Sequence, residues 1–221
     1  MKKNKYGKIM IILGTMLILS ALFLCCYNVS ESRRAYQESQ EVLTELTELI
    51  PAPEEKEEPV TQPAVTGNPA DDLFAPFEEH EEETEADIPA PIEIDGSYYC
   101  GYISLPTLGL ELPVVDGWSY EALRTSPCRY SGYAAEKNMI VAAHNYNDHF
   151  GRIADLNAGD EIWFTDTAGN FYRYEVDNTV YVDGYNVDGM FSGEQDEWDI
   201  TLFTCTLSGQ RRVTVRGVLA D

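Results

Sequence analysis

A cysteine closes the run DITLFTC at position 205, and two arginines, Arg211 and Arg212, open the run RRVTVRG just beyond it. A thiol beside a guanidinium has its thiolate stabilised, and the thiolate is the reactive species. The same guanidinium can hold the oxyanion that forms when this thiolate attacks a carbonyl. Strand alternation sets Arg212, Thr214 and Arg216 on one face of RRVTVRG, and Arg211, Val213 and Val215 on the other, toward the core. In DITLFTC, Thr201, Phe203 and Cys205 share one face, while Ile200, Leu202 and Thr204 share the other. A short polar turn joins the runs, so Arg212 is the nearest arginine off the core face, and Arg216 lies about 13 Å further along. The remaining need is a proton carrier. Of His80, His144 and His149, only His144 ends a strand-like apolar run, MIVAAH. A free cysteine in an exported domain is more often structural than catalytic, so residue types alone leave Cys–His–Arg chemistry and a bland thiol both open.

The elements that must position these groups are short. YYCGYISL, LELPVVDG, NMIVAAHN, DEIWFTD, NFYRYEVDNTVYV, WDITLFTC and RRVTVRGVL are rich in Tyr, Val, Ile, Phe and Thr and are separated by Gly, Asn, Asp and Pro. TDTAGNFYRYEV reads as a hairpin turning at Ala168, Gly169 and Asn170. Only GWSYEALRTS and GRIADLNAGD read as short helices. Seven or eight short strands with few helices make a sandwich or a barrel, and periodicity does not separate the two. No internal repeat is visible.

The 221 residues carry a formal net charge of -23, which disfavours nucleic acid as a partner. Much of that charge is local: residues 41–95 hold 18 acids and one base, Lys56, whereas residues 96–221 hold 18 acids and 8 bases. Lys2, Lys3, Lys5 and Lys8 precede an uncharged apolar stretch at residues 9–29. That stretch is long enough to cross a hydrocarbon core of about 30 Å as a helix, and the lysines would hold the N-terminus in the cytoplasm. The rivals are a cleaved secretory signal, which usually has a shorter apolar run and a small-x-small site, and a lipoprotein signal, for which Leu24 is too large before Cys25. Residues 30–50 place Val42, Leu43, Leu46, Leu49 and Ile50 at helical spacing, as a solvated stalk with a narrow stripe or a seam for self-association. Residues 51–91 hold eight of the eleven prolines among acid runs and read as a disordered linker, with His80 solvated inside it. Its reach, about 35 Å root-mean-square, would hold a domain at residues 92–221 off the membrane. Cys25 and Cys26 read as apolar filler. A Cys100–Cys128 bridge stays open, and scattered histidines with no C-x-x-C spacing argue against a zinc site.

TLFTC, an arginine seven positions on, and a strand ending VTVRG resemble the signature of the sortases, cysteine transpeptidases of Gram-positive cell surfaces. NMIVAAHNYNDHFGRIADLNAGDEIWFTD is similar to the segment carrying that family's histidine, and GYISLPTLGLELPVVDG to its opening strands. The resemblance covers nearly all of residues 97–219, and HNYNDHFG leaves the subclass between class B-like and class D-like. It implies an all-β, closed or nearly closed barrel of seven to eight strands with short helices, behind a transmembrane helix and linker. It further implies Cys205 as nucleophile, His144 as general acid and base, and Arg212 as substrate clamp and oxyanion stabiliser. Arg211 is the alternative by one position; strand parity favours Arg212. Thr204 would shape the oxyanion pocket through its backbone, and Asn145 and His149 would orient His144 or the substrate.

The implied reaction cleaves an LPxTG-like sorting signal through a Cys205 thioacyl intermediate and transfers the surface protein to an amine. That amine would be a cell-wall crossbridge, a peptidoglycan precursor or a pilin lysine. An amide is exchanged for an amide, so no cofactor and no metal are expected. The acidic loop DGYNVDGMFSGEQDEWD, residues 183–199, stands where the family reads substrate. Acids in such a loop are usually only solvated, with calcium the minority reading. The rival from another class is a membrane-tethered barrel that binds without turnover. A papain-type enzyme is disfavoured because its nucleophile opens a helix.

Overall fold

A computed structural model describes residues 3–51, 88–186, 188–190 and 197–220. The N-terminal part is one helix of 47 residues, α1 (Lys3–Leu49), followed among the described residues by nine strands. These are β1 (Ile92–Ile94), β2 (Ser97–Leu105), β3 (Leu110–Val115), β4 (Cys128–Ser131), β5 (Met139–Ala142), β6 (Glu161–Asp166), β7 (Phe171–Asp183), β8 (Ile200–Cys205) and β9 (Arg211–Leu219). The sheet runs β1-β2-β3-β4-β5-β8-β9-β7-β6, and a second pairing of β2 with β6 closes β2 to β9 into an eight-stranded barrel. Strand β1 lies outside the closure as an antiparallel flap on β2. The barrel, one of the two architectures the strand count left open, has no free edge between β2 and β6.

Closure is set locally. The β2–β3 register shifts between Tyr99 and Gly101, and Gly101 takes φ +146° where it meets β6. A Cβ there would collide with the Thr165 carbonyl oxygen, so the seam needs a glycine. The β6–β7 hairpin turns at 168–170 as its sequence demands, with Gly169 at φ +86° and Asp166 accepting from the Ala168 and Asn170 backbones. Inside the barrel, Ile103, Leu105, Leu112, Val141, Phe150, Ile162, Leu202 and Val215 form the main core. GWSYEALRTS and GRIADLNAGD supply only 3₁₀ turns, Ala122–Arg124 and Phe150–Asp155.

Two expectations for the N-terminal region change. The anchor and the stalk are one uninterrupted helix, and one face of its second half is buried. Ala35, Leu43, Leu46 and Ile50 are buried, and Leu46 and Ile50 pack with Ile94, Tyr99, Val115 and Cys128. The stripe that read as a stalk or self-association seam is therefore the helix face laid on the barrel, with Gln40 donating to the Glu111 carbonyl at 2.7 Å. The linker at residues 51–91 lies almost wholly outside the described residues, but its ends do not. A Cβ on Gly169 would stand 2.6 Å from the Pro51 carbonyl oxygen, and the Thr167 hydroxyl donates to the Ala90 carbonyl at 2.9 Å. Both ends thus meet the same hairpin turn, so the linker's reach does not set the position of the barrel. Cys100 and Cys128 are buried, unbridged thiols, donating to the Val114 and Ser126 carbonyls.

Candidate active site

Strands β5 and β8 run parallel side by side, with Val141 opposite Leu202 and Ala142 opposite Phe203. His144 and Cys205 each follow that last pair by two residues, so both leave the same end of adjacent strands. The pairing carries on past β5: Ala143 N–H donates to the Phe203 carbonyl at 3.2 Å. The Thr204 hydroxyl, almost wholly buried, then donates to the Ala143 carbonyl at 2.8 Å. One side chain therefore ties the residue before the histidine to the residue before the cysteine. Neighbouring backbones are about 4.8 Å apart across a sheet, which is within side-chain reach.

On its other side β8 pairs antiparallel with β9, and Cys205 stands directly opposite Arg212. Arg211 lies against Asp183 on β7, donates to the Tyr181 carbonyl at 2.9 Å and covers the Tyr181 ring. Of the two adjacent arginines, Arg212 is the cross-strand partner of Cys205. Its guanidinium folds onto the turn, donating to the Gly209 carbonyl at 3.0 Å. Arg216 is engaged elsewhere: it donates to the Gly189 carbonyl and stacks on Trp198 at 3.9 Å. The 3₁₀ turn Asp188–Met190 covers this face of β9, which is why Thr214, off the core side by parity, is fully buried against Met190.

Cys205 is an exposed free thiol. His144 is half-buried, and burial, with the Arg124 guanidinium second, holds its pKa below the usual histidine value. The ring is therefore neutral near pH 7 and able to accept a proton. Tyr146 stacks on it at 4.7 Å and 15°.

A family model for the sortase domain matches residues 103–220, which hold the histidine, the cysteine and the arginine together. This chain belongs to the sortase family. Among solved structures, sortase C1 from Streptococcus agalactiae is 26% identical, with a TM-score of 0.50 over 58% of this chain and 71% of that one. Sortase A from Corynebacterium diphtheriae shares the fold at 24% identity and a TM-score of 0.51, over 57% of this chain and 62% of that one. No curated protein matches the chain.

In this sortase, other residues named from sequence fall into different places. Asn145 lines an open pocket of about 660 Å³ beside His144. His149 is fully buried, neither ring nitrogen has a hydrogen-bond partner, and Tyr146 packs against both histidines. It does not orient His144 by a hydrogen bond. Burial first, then the neighbouring His144, lowers its pKa to about 4, against the opposing pull of Asp148. Among the described residues no group of His, Cys, Asp or Glu has the arrangement of a metal site. Residues 187 and 191–196 of the acidic loop lie outside the described residues, and the calcium reading with them.

Sequence reasoning missed three contributors. Helix α1 brings Asn28, Val29, Ser32 and Arg33 to the pocket wall opposite His144, and Ser32 donates to Asp148 at 3.2 Å. Arg124 bridges to Glu31 at 3.6 Å and places a positive charge near the histidine. Aromatic rings continue from Phe203, two residues before Cys205, to Tyr130, Trp118 and Tyr120 at centroid spacings of 5.4, 5.5 and 5.6 Å. Of these, only Phe203, on the same strand face as Cys205, was named from the sequence.

Proposed function

We propose that this sortase cleaves an LPxTG-like sorting signal with Cys205 and passes the acyl group to an amine on a cell-wall crossbridge or a pilin lysine. The observation that carries the reading is the strand register: Cys205 faces Arg212 across β8–β9, while the Thr204 hydroxyl ties the Ala143 carbonyl next to His144. His144 takes the Cys205 thiol proton as the sulfur attacks the Thr–Gly carbonyl of the signal, and then gives that proton to the departing amine. Arg212 leaves the Gly209 carbonyl to hold the developing oxyanion and the substrate backbone. The incoming amine then attacks the thioester, and His144 takes its proton. The Phe203–Tyr130–Trp118 surface supplies an apolar bed for the leucine and proline of the signal. Thr204 acts here as the brace between two catalytic strands, and Asn145 lines the side from which the amine arrives. Residues 9–29 anchor the enzyme with residues 1–8 in the cytoplasm and the catalytic domain, 92–221, outside the cell.

The test is a panel of fluorogenic sorting peptides with an added amine, read by mass spectrometry. The wild-type enzyme forms a thioacyl adduct and an amide product. Cys205→Ala gives neither, and His144→Ala slows both by at least the 10²-fold typical of a lost acid–base group. A Cys205→Ala variant that still turns over overturns the assignment. A wild-type enzyme that binds peptide without forming an adduct would favour the binding-module reading.

A further inference from the structure

The apolar stretch of α1 ends where the barrel begins. Side chains from Ile9 to Leu24, together with Tyr27 and Val29, are exposed, and the apolar window of the helix touches no other part of the protein. At 1.5 Å per residue, residues 9–29 measure about 31 Å, the thickness of a hydrocarbon core. The helix does not break at residue 29; it continues to Leu49 with its next turns on the barrel. Asn28, Val29, Ser32 and Arg33 line one pocket with His144, Asp148 and Leu207. Pro51, at the other end of the docked half, meets the hairpin turn at Gly169. Those two levels are separated by about 30 Å of helix. The catalytic end of the barrel is therefore the end beside the apolar stretch, and the β6–β7 turn is the far end.

At the catalytic end the β8–β9 turn carries Leu207, 98% exposed, two residues after Cys205. A leucine held fully in water at a turn tip contributes nothing to the barrel core. Beside it Arg33 sits one turn beyond the apolar stretch, at the level of lipid phosphates.

We propose that the catalytic end of the barrel rests on the outer headgroup layer of the membrane that holds α1, with Leu207 dipping into it. The inference rests on residues 9–29 spanning a bilayer. The occupant follows from continuity: an unbroken helix fixes the barrel at the height where its apolar surface stops. Cys205 and His144 then work at the lipid–water boundary rather than at the end of a long tether.

The full-length chain with Cys25→Ala, Cys26→Ala and Cys205→Ala, leaving only the buried thiols, receives one new label site, Leu207→Cys or Ala168→Cys. Each is labelled with an environment-sensitive fluorophore and reconstituted into phosphatidylcholine–phosphatidylglycerol vesicles, with and without headgroup-nitroxide lipid. The expected result is a blue-shifted emission at 207 and severalfold stronger quenching there than at 168. Equal quenching at the two sites, or none at 207 in protein that floats with the vesicles, overturns the proposal. Protein that fails to float removes the anchor itself, and the proposal with it. Catalysis by an unlabelled wild-type sample, measured in parallel, tests the enzyme reading separately.

Discussion

His149 makes the stability of this protein sensitive to mild acid. Its imidazole is fully buried with no hydrogen-bond partner, and its pKa falls to about 4 from the ordinary 6.5. In the unfolded chain it protonates as pH drops below about 6.5, whereas in the folded barrel it stays neutral until about 4. The unfolded state thus binds more protons across this window. Stability from the neutral ring is complete above pH 6.5 and is lost as pH falls. Linkage gives a loss of about 2 kcal/mol between pH 7 and pH 5, and about 3 kcal/mol by pH 4. His144 shifts in the same direction, and Asp148 opposes the shift of His149, so a difference experiment is needed to isolate the one ring. Urea unfolding of the full chain in detergent micelles, followed by tryptophan fluorescence, is measured from pH 7 to pH 5 for wild type and His149→Phe. The variant keeps an aromatic ring of similar size, and its stability should vary less with pH by about 2 kcal/mol. Parallel curves would show that the ring is charged or solvated in the fold, and the reasoning would fail.

Other outcomes follow from single contacts. Thr204→Val keeps the volume but leaves the Ala143 carbonyl without its hydroxyl donor, costing about 1–3 kcal/mol in denaturant unfolding. It should also lower kcat more than it raises KM, with Thr204→Ser restoring most of the rate. Arg212→Lys should lower kcat/KM by about 10²-fold, the scale of a lost oxyanion donor. Arg211→Lys, at a side chain turned toward Tyr181, should change kcat/KM only slightly. Gly101→Ala should cost about 3 kcal/mol or more in thermal unfolding, because φ +146° and the Thr165 carbonyl leave no room for a methyl group. With a maleimide reagent under native conditions, Cys205 should label first; Cys100 and Cys128, whose thiols burial pushes up (Cys128 to about 12), should label only on unfolding.

The sequence made β8 and β9 legible because their pattern is local. Alternation alone put Arg212 off the core face of its strand, and β8–β9 pairing sets it opposite Cys205. The hairpin at 168–170 was equally readable from its glycine. Barrel closure was not, since the seam between β2 and β6 depends on a bulge at Gly101, and a bulge breaks the period that reveals strands. Thr214 misled by the same rule: parity put it outside, but the Asp188–Met190 turn lies over it. The α1 stripe was found but read as a solvated stalk or a self-association seam, because an amphipathic pattern does not state what covers its apolar face. Residues such as Ser32 and Arg33, more than a hundred positions from His144, carry no sequence sign of the pocket they line.

The meeting of Pro51 and Ala90 on one hairpin has a mechanical corollary. With Pro51 and Ala90 held on one hairpin, the closure entropy of the segment joining them grows by only about 0.6 kcal/mol for each doubling of its length. Halving or doubling it should barely disturb the protein. A protease cut within it would leave two polypeptides still clasped through Leu43, Leu46 and Ile50, so that shedding the barrel from a cell would require unclasping as well as nicking.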